Sequence, residues 1–129
     1  MKRSASIPVD TELATNTYFI RKDEHGIIHR RVKADAHIDI KEAKECEELC
    51  LSINDSKKML TVIDARNFHT LTPEATRYIK TTHNASRAAT AIVSENLSQK
   101  ITASFMKGKT PVKIFSSENE AVMWLRTFK

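Results

Sequence analysis

The chain has 129 residues, 40% hydrophobic and 29% charged, the size and make-up of one domain able to bury about two-thirds of its unfolded surface without metals or disulfides. No apolar run approaches the roughly 20 residues of a membrane-crossing helix, and 21 basic against 16 acidic side chains give a net charge of +5, too modest to select an anionic partner by itself. The basic residues fall in scattered groups (Arg30, Arg31 and Lys33; Lys57 and Lys58; Lys107 and Lys109) without the interleaved aromatics of a base-stacking platform, so they read as solvated faces and no nucleic-acid partner is expected.

Residues 1–16 lack the apolar core of a secretory signal and read as a flexible tail ahead of a single domain, 17–129. Residues 17–22 (TYFIRK) and 27–33 (IIHRRVK) are β-rich runs joined by Asp23, Glu24, His25 and Gly26, which predicts an antiparallel hairpin. Asp39 and Glu42 form a capping-box signature. Ile40, Ala43, Cys46, Leu49, Cys50 and Ile53 then recur at helical spacing up to Asn54 and Asp55, with Lys and Glu on the outer face.

Residues 59–64 (MLTVID) read as a strand covered on both faces. Thr72 and Pro73 supply a cap and a first-turn proline for a helix carrying Ala75, Tyr78 and Ile79, and residues 88–93 (AATAIV) give a further buried strand. Ser94 opens a predicted helix through Leu97, Ile101, Phe105 and Met106, closed by Lys107 and Gly108. After Pro111, residues 112–115 form a strand. Ser117 and Glu120 then mark a second capping box, opening a helix expected to bury Ala121, Val122, Leu125 and Phe128. The predicted fold is α/β with order β-β-α-β-α-β-α-β-α, a mixed, mostly parallel five-stranded sheet with an N-terminal antiparallel hairpin.

The stretch VIDARNFHTLTPEATRYI (62–79), with a strand-ending Asp64 before a short loop and a helix start, resembles the centre of STAS domains, and the tail TPVKIFSSENEAVMWLRTF (110–128) is similar to the ending of small stand-alone bacterial SpoIIAA-like proteins. The resemblance implies the SpoIIAA-like fold and a regulatory role of the kind filled by anti-anti-sigma factors, in which a serine at the start of that helix is phosphorylated by a partner kinase. The matching positions here are Pro73 and Glu74, so the phosphoserine switch is expected to be absent, although Thr72 beside them carries a hydroxyl.

In mostly parallel sheets, recognition residues collect on loops at the C-terminal strand ends. Asp64, Arg66, Asn67, His69, Thr72, Glu74 and Arg77 are therefore the expected partner-binding residues, with Thr72 also a cap and Glu74 favourably placed near a helix N-terminus. No nucleophile stands beside an oriented base, so no catalytic residue is assigned and the chain is not expected to be an enzyme.

His25, His29, His37, His69 and His83 form no H-x-x-x-H pair on one helix, since His25 and His29 flank the predicted turn, and they read as surface imidazoles; Cys46-x-x-x-Cys50 is not a zinc-knuckle spacing, so no metal site is expected. With only Gly26 and Gly108 there is no glycine-rich phosphate loop and no cofactor is assigned. Tyr78, Phe105, Phe115, Trp124 and Phe128 read as core. The two cysteines, sharing one helix face, read as reduced, partly buried thiols of a cytoplasmic protein.

The leading functional expectation is a non-catalytic regulatory or protein-interaction domain with an unidentified protein partner. The alternative is a carrier of a small apolar molecule or lipid, because STAS domains look related to the CRAL-TRIO lipid-transfer fold and a ligand would sit beneath the helix near Phe105 and Met106. Oligomeric state is not legible.

Overall fold

The computed structural model describes residues 8–55, 58–95 and 110–129. Its elements, in chain order, are β1 (Leu13–Ala14), β2 (Tyr18–Lys22), β3 (Ile28–Val32), β4 (Ala36–Ile38), α1 (Ile40–Ile53), β5 (Met59–Asp64), β6 (His69–Leu71), α2 (Pro73–Ser86), β7 (Arg87–Val93), β8 (Val112–Phe115) and α3 (Glu118–Arg126). Six strands form one sheet in the order β1-β2-β3-β5-β7-β8. The β1/β2 and β2/β3 pairs are antiparallel and the β3/β5, β5/β7 and β7/β8 pairs are parallel.

The hairpin between β2 and β3 turns on Asp23. Its Oδ1 accepts the amides of His25 at 2.8 Å and Ile27 at 3.0 Å. Gly26 sits at φ 79°, a left-handed conformation that glycine adopts at no steric cost. Alternation then divides the sheet into two faces. Tyr18, Ile20, Ile28 and Val32 pack with Ala43, Cys46, Cys50 and Ile53 of α1 and Ala75 of α2. Ile27, Val62, Ala89, Ala91 and Val93 face the other way and are roofed by Ala121 and Leu125 of α3.

All five expected strands are present, but the sheet has six. The additional strand, β1, falls within the stretch read as a tail, where the part-buried Leu13 packs on the α1 side of the core; two residues are too few to show a strand period. A separate parallel pair joins β4 to β6. Ala36 and Ile38 are buried and His37 between them is exposed, an alternation three residues long. The ladder has a consequence for both helices, because the residues that follow these strands are their N-caps.

Asp39 caps α1 in a reciprocal capping box with Glu42, and Thr72 caps α2 by accepting the Ala75 amide at 3.1 Å. The Thr72 hydroxyl in turn donates to Asp39 Oδ1 at 2.8 Å. Thr72→Ala should therefore lower stability by roughly 0.5–2 kcal/mol, read from chemical denaturation; no change would mean that α2 starts without its cap. At α3, Ser117 accepts the Glu120 amide at 3.2 Å, but the Glu120 carboxylate takes the Ser117 hydroxyl rather than the cap amide, so the expected second box is only half formed.

Several side chains lie elsewhere than the sequence pattern places them. Cys46 and Cys50 are free and fully buried rather than partly so. His29 and His83 are buried, not surface imidazoles; His83 Nδ1 lies 3.0 Å from Thr90 Oγ1 and its Nε2 3.4 Å from the Thr110 carbonyl. Arg30 is 4% exposed rather than solvated, because its strand alternation turns it beneath α1. There Glu47, also buried, accepts Arg87 through two hydrogen bonds of 2.5 and 2.9 Å and lies 3.6 Å from Arg30.

Phe128 is 40% exposed, since α3 ends at Arg126, and it stacks edge-on against the half-buried Trp124 instead of entering the core. The helix predicted from Ser94 through Met106, with Leu97, Ile101 and Phe105, lies outside the described residues apart from its first positions.

Candidate functional site: the loop after the central strand

β5 ends at Asp64, and the chain crosses the C-terminal edge of the sheet before β6 and α2. Asp64 grips Arg66 through Nε at 2.9 Å and Nη2 at 2.7 Å and also accepts the Arg66 amide at 3.2 Å. Partial burial works to raise the Asp64 pKa, but the hydrogen bonds and charge of Arg66 outweigh it and hold the carboxyl below its usual range. Asn67 donates its side-chain amide to the Val32 carbonyl at 2.9 Å, tying the loop to β3, and His69 Nδ1 lies 2.7 Å from the Asn67 carbonyl. The Asp35 amide donates to the Phe68 carbonyl at 2.8 Å.

These bonds hold the loop backbone on both sides of Phe68, and the phenyl ring between them is 71% exposed. Sequence reasoning passed over Phe68, although a lone aromatic residue in the polar run RNFHT was a visible signal. Thr72 is occupied as acceptor and donor in the cap, and Glu74 and Arg77 form an exposed ion pair of 3.8 Å on the first turns of α2. The seven residues expected together thus divide. Asp64 and Arg66 face the α3 side of the sheet, Thr72, Glu74 and Arg77 belong to the α1/α2 side, and Asn67 and His69 span the edge between them.

On the α3 side, Asp64 and Arg66 border a cleft of about 260 Å³ over β2, β3 and β5, with Phe19, Arg21, His29, Arg31 and Glu118 around it. Of the other guanidiniums there, Arg21 meets Asp10 at 2.6 Å and Glu118 at 3.4 Å, Arg31 meets Glu12 at 3.2 Å while stacking on Phe19, and Arg30 shares Glu47 with Arg87. His29 is oriented by Asp23, whose Oδ2 accepts Nε2–H at 2.7 Å, leaving Nδ1 to face Arg21 at 3.3 Å. Burial works to raise the Asp23 pKa, yet the His29 hydrogen bond and the Ile27 and His25 amides hold it down. Chemically this is a cleft of ion-paired arginines with one oriented imidazole, and its described lining carries no hydroxyl or thiol nucleophile. Among the described residues no group of three or more His, Cys, Asp or Glu side chains is arranged to hold a metal ion.

The depressed carboxyls have a pH signature. Asp23, Glu47 and Asp64 bind protons less tightly folded than unfolded. They therefore stabilise the fold above about pH 4 and lose that contribution as pH falls through their folded values. Burial also lowers the His83 pKa. The unfolded chain accepts that proton from about pH 6.5 downward, while the folded one refuses it. Urea midpoints should therefore decline in two stages, from about pH 6.5 and again below about pH 4; a midpoint unchanged between pH 7 and 3 would remove both assignments.

The family described as a domain of unknown function (DUF7793) matches residues 20–129, from the middle of β2 to the last residue. The chain belongs to this DUF7793 family. No curated protein matches it. Among solved structures, an uncharacterized protein of the DUF3478 family with a SpoIIAA-like fold, from Shewanella loihica PV-4, superposes with a TM-score of 0.60 at 13% identity, covering 88% of this chain and 98% of that one. At that identity the likeness concerns the fold alone, and this DUF7793 domain is accordingly a mixed α/β domain with a SpoIIAA-like neighbour. No helix among its described residues is long and apolar enough to cross a membrane.

Proposed function

We propose that this DUF7793 domain is a non-catalytic regulatory or protein-interaction module of STAS type, binding a protein partner through the loop of Arg66, Asn67, Phe68 and His69 and the adjoining start of α2. The observation that carries the reading is Phe68, an exposed aromatic residue on a loop whose backbone is pinned on both sides. Interface hot spots are commonly aromatic or arginine side chains presented with little conformational entropy left to lose, and Arg66, fixed by Asp64, stands two positions away. The cleft supports binding over catalysis, since its cations are matched by carboxylates and its imidazole faces a guanidinium. Two free, buried thiols accord with a cytoplasmic setting.

The surface works without a phosphoserine switch. Pro73 and Glu74 occupy the family position, and the neighbouring Thr72 hydroxyl is committed to the Ala75 amide and to Asp39. A phosphate on Thr72 would set two anions side by side and break the cap. The test is retention of proteins from the native cell by wild type, by Phe68→Ala, by Arg66→Glu with His69→Ala, and by Glu74→Ser, each first shown to be folded by circular dichroism. A partner held by wild type should lose at least tenfold in affinity for the first two variants and little for Glu74→Ser. Undiminished binding by both loop variants would sink the surface assignment, and a phosphorylated Thr72 that alters binding in cells would sink the switchless reading.

A further inference from the structure

In the cleft of about 260 Å³ over β2, β3 and β5, two hydrogen-bond acceptors stand side by side. Asp23 Oδ2 accepts Nε2–H of the buried His29 at 2.7 Å, and Arg21 Nη2, a guanidinium nitrogen with no lone pair to offer, lies 3.3 Å from the other ring nitrogen. Nδ1 of His29 is therefore an acceptor. Glu118 Oε1, from the first residue of α3, lies 3.8 Å from it. Arg21 Nη2 reaches both groups only at length, 3.3 Å from Nδ1 and 3.4 Å from Glu118 Oε2, while the close bond of this guanidinium, 2.6 Å through Nη1, goes to Asp10. Both long contacts can be exchanged for shorter ones without unpairing Arg21.

Across the cleft, Arg31 donates to Glu12 through one nitrogen at 3.2 Å, and both side chains are about half exposed. A guanidinium carries five N–H donors, and the Phe19 ring, 4.6 Å away, lies against the face of this one. Its remaining edge is open to a second acceptor. Arg66 offers no such edge, because Asp64 takes its Nε and Nη2 at 2.9 and 2.7 Å. A lone anion in the cleft would stand beside the carboxylates of Glu12 and Glu118, and a lone cation beside Arg21 and Arg31. A molecule carrying both charges meets an opposite charge at each end.

We propose that this cleft is a binding site for a free α-amino acid with an uncharged side chain. The ammonium group donates to His29 Nδ1 and Glu118 in place of Arg21 Nη2, and the carboxylate accepts from the open edge of Arg31. His29 and Arg31 stand two positions apart on one face of β3, about 7 Å at strand spacing. That is of the order of an ammonium and a carboxylate on one carbon atom with a hydrogen bond of about 2.8 Å at each end. Asp23, itself held by the amides of His25 and Ile27, fixes the imidazole before any ligand arrives. The volume falls short of the roughly 300 Å³ at which pockets for drug-sized ligands begin, which limits the side chain to a small or medium one, and Arg66, committed to Asp64, leaves no partner for a charged one. The site uses neither Phe68 nor the start of α2 and is independent of the partner surface.

Amide spectra of the isotope-labelled chain, titrated with glycine, L-alanine, L-serine, L-valine and L-leucine, test the site directly. At least one of them should shift the amides of Arg21, His29, Arg31 and Glu118 and saturate with a dissociation constant below about 1 mM. Glycine betaine, which has both charges but no N–H donor, should leave these amides in place, and so should acetate and methylammonium, which have one charge each. Glu118→Gln and Arg31→Gln should each weaken the binding at least tenfold. Long-range proton–nitrogen correlation of the imidazole should find the His29 proton on Nε2 and none on Nδ1. The proposal is overturned if no amino acid of the panel saturates below that concentration, if betaine binds as well as the best of them, or if Nδ1 carries the proton. These three readouts are made on wild type, so they decide the matter even where a variant fails to fold.

Discussion

Glu47→Ala should destabilise the fold by about 3–5 kcal/mol, the range for removing one partner of a buried ion pair. Among the described residues this carboxylate is the one acid paired with both Arg30 and Arg87, and these are 4% exposed each. Burial acts to raise the Glu47 pKa, but the hydrogen bonds and charge of Arg87, with Arg30 behind it, hold it below the usual range, the mark of a carboxylate that gains from its partners. Without it, two buried guanidiniums lose the carboxylate they share. Glu47→Gln, which keeps shape and an acceptor but not the charge, should lose a large part of the same stability. Urea unfolding decides the point: a loss below about 1 kcal/mol for alanine would mean that both arginines reach water once Glu47 is gone.

The second large effect is expected at Leu125. This side chain is fully buried with Ala121 against Ile27, Val62 and the small residues of β7. Leu125→Ala should cost about 2–5 kcal/mol through lost transfer energy and the cavity left behind. The high value is favoured by the neighbours: Ala89 and Ala91 are too short to close the gap, and α3 is the one described helix on that face. Chemical denaturation with unchanged m-value is the measurement, and a change under about 0.5 kcal/mol would show that α3 is not docked as described.

Strongly patterned elements were legible in the sequence. The Asp39 to Glu42 box, the Thr72–Pro73 start and the apolar run of β5 each state their structure in a few residues, because local hydrogen bonding or full burial fixes them. Strands β1 and β4, two and three residues long, exist because the chain around them is already placed, and no window shorter than a period can reveal that. Buried polar residues were the second blind spot. Arg30 sits in the run IIHRRVK, where composition suggests solvent and alternation decides otherwise, and Glu47 falls one position from the Cys46 stripe. At the loop, Asp64 and Arg66 were legible as neighbours, whereas the exposure of Phe68 depended on Asn67 reaching Val32 on another strand, a contact 35 positions away in sequence.

The three-residue ladder of β4 and β6 also makes the two helix beginnings one mechanical joint. Because the Thr72 amide bonds to the Ile38 carbonyl and its hydroxyl to Asp39, fraying the first turn of α1 removes an acceptor from the cap of α2, and fraying α2 strips a donor from Asp39. The two N-termini therefore belong to one cooperative opening unit rather than two. Amides of the first turns, far apart in sequence, should then share a common free energy of hydrogen exchange, and a molecule gripping the Phe68 loop, itself bonded to Asp35 at the foot of β4, should raise the protection of both helix starts at once.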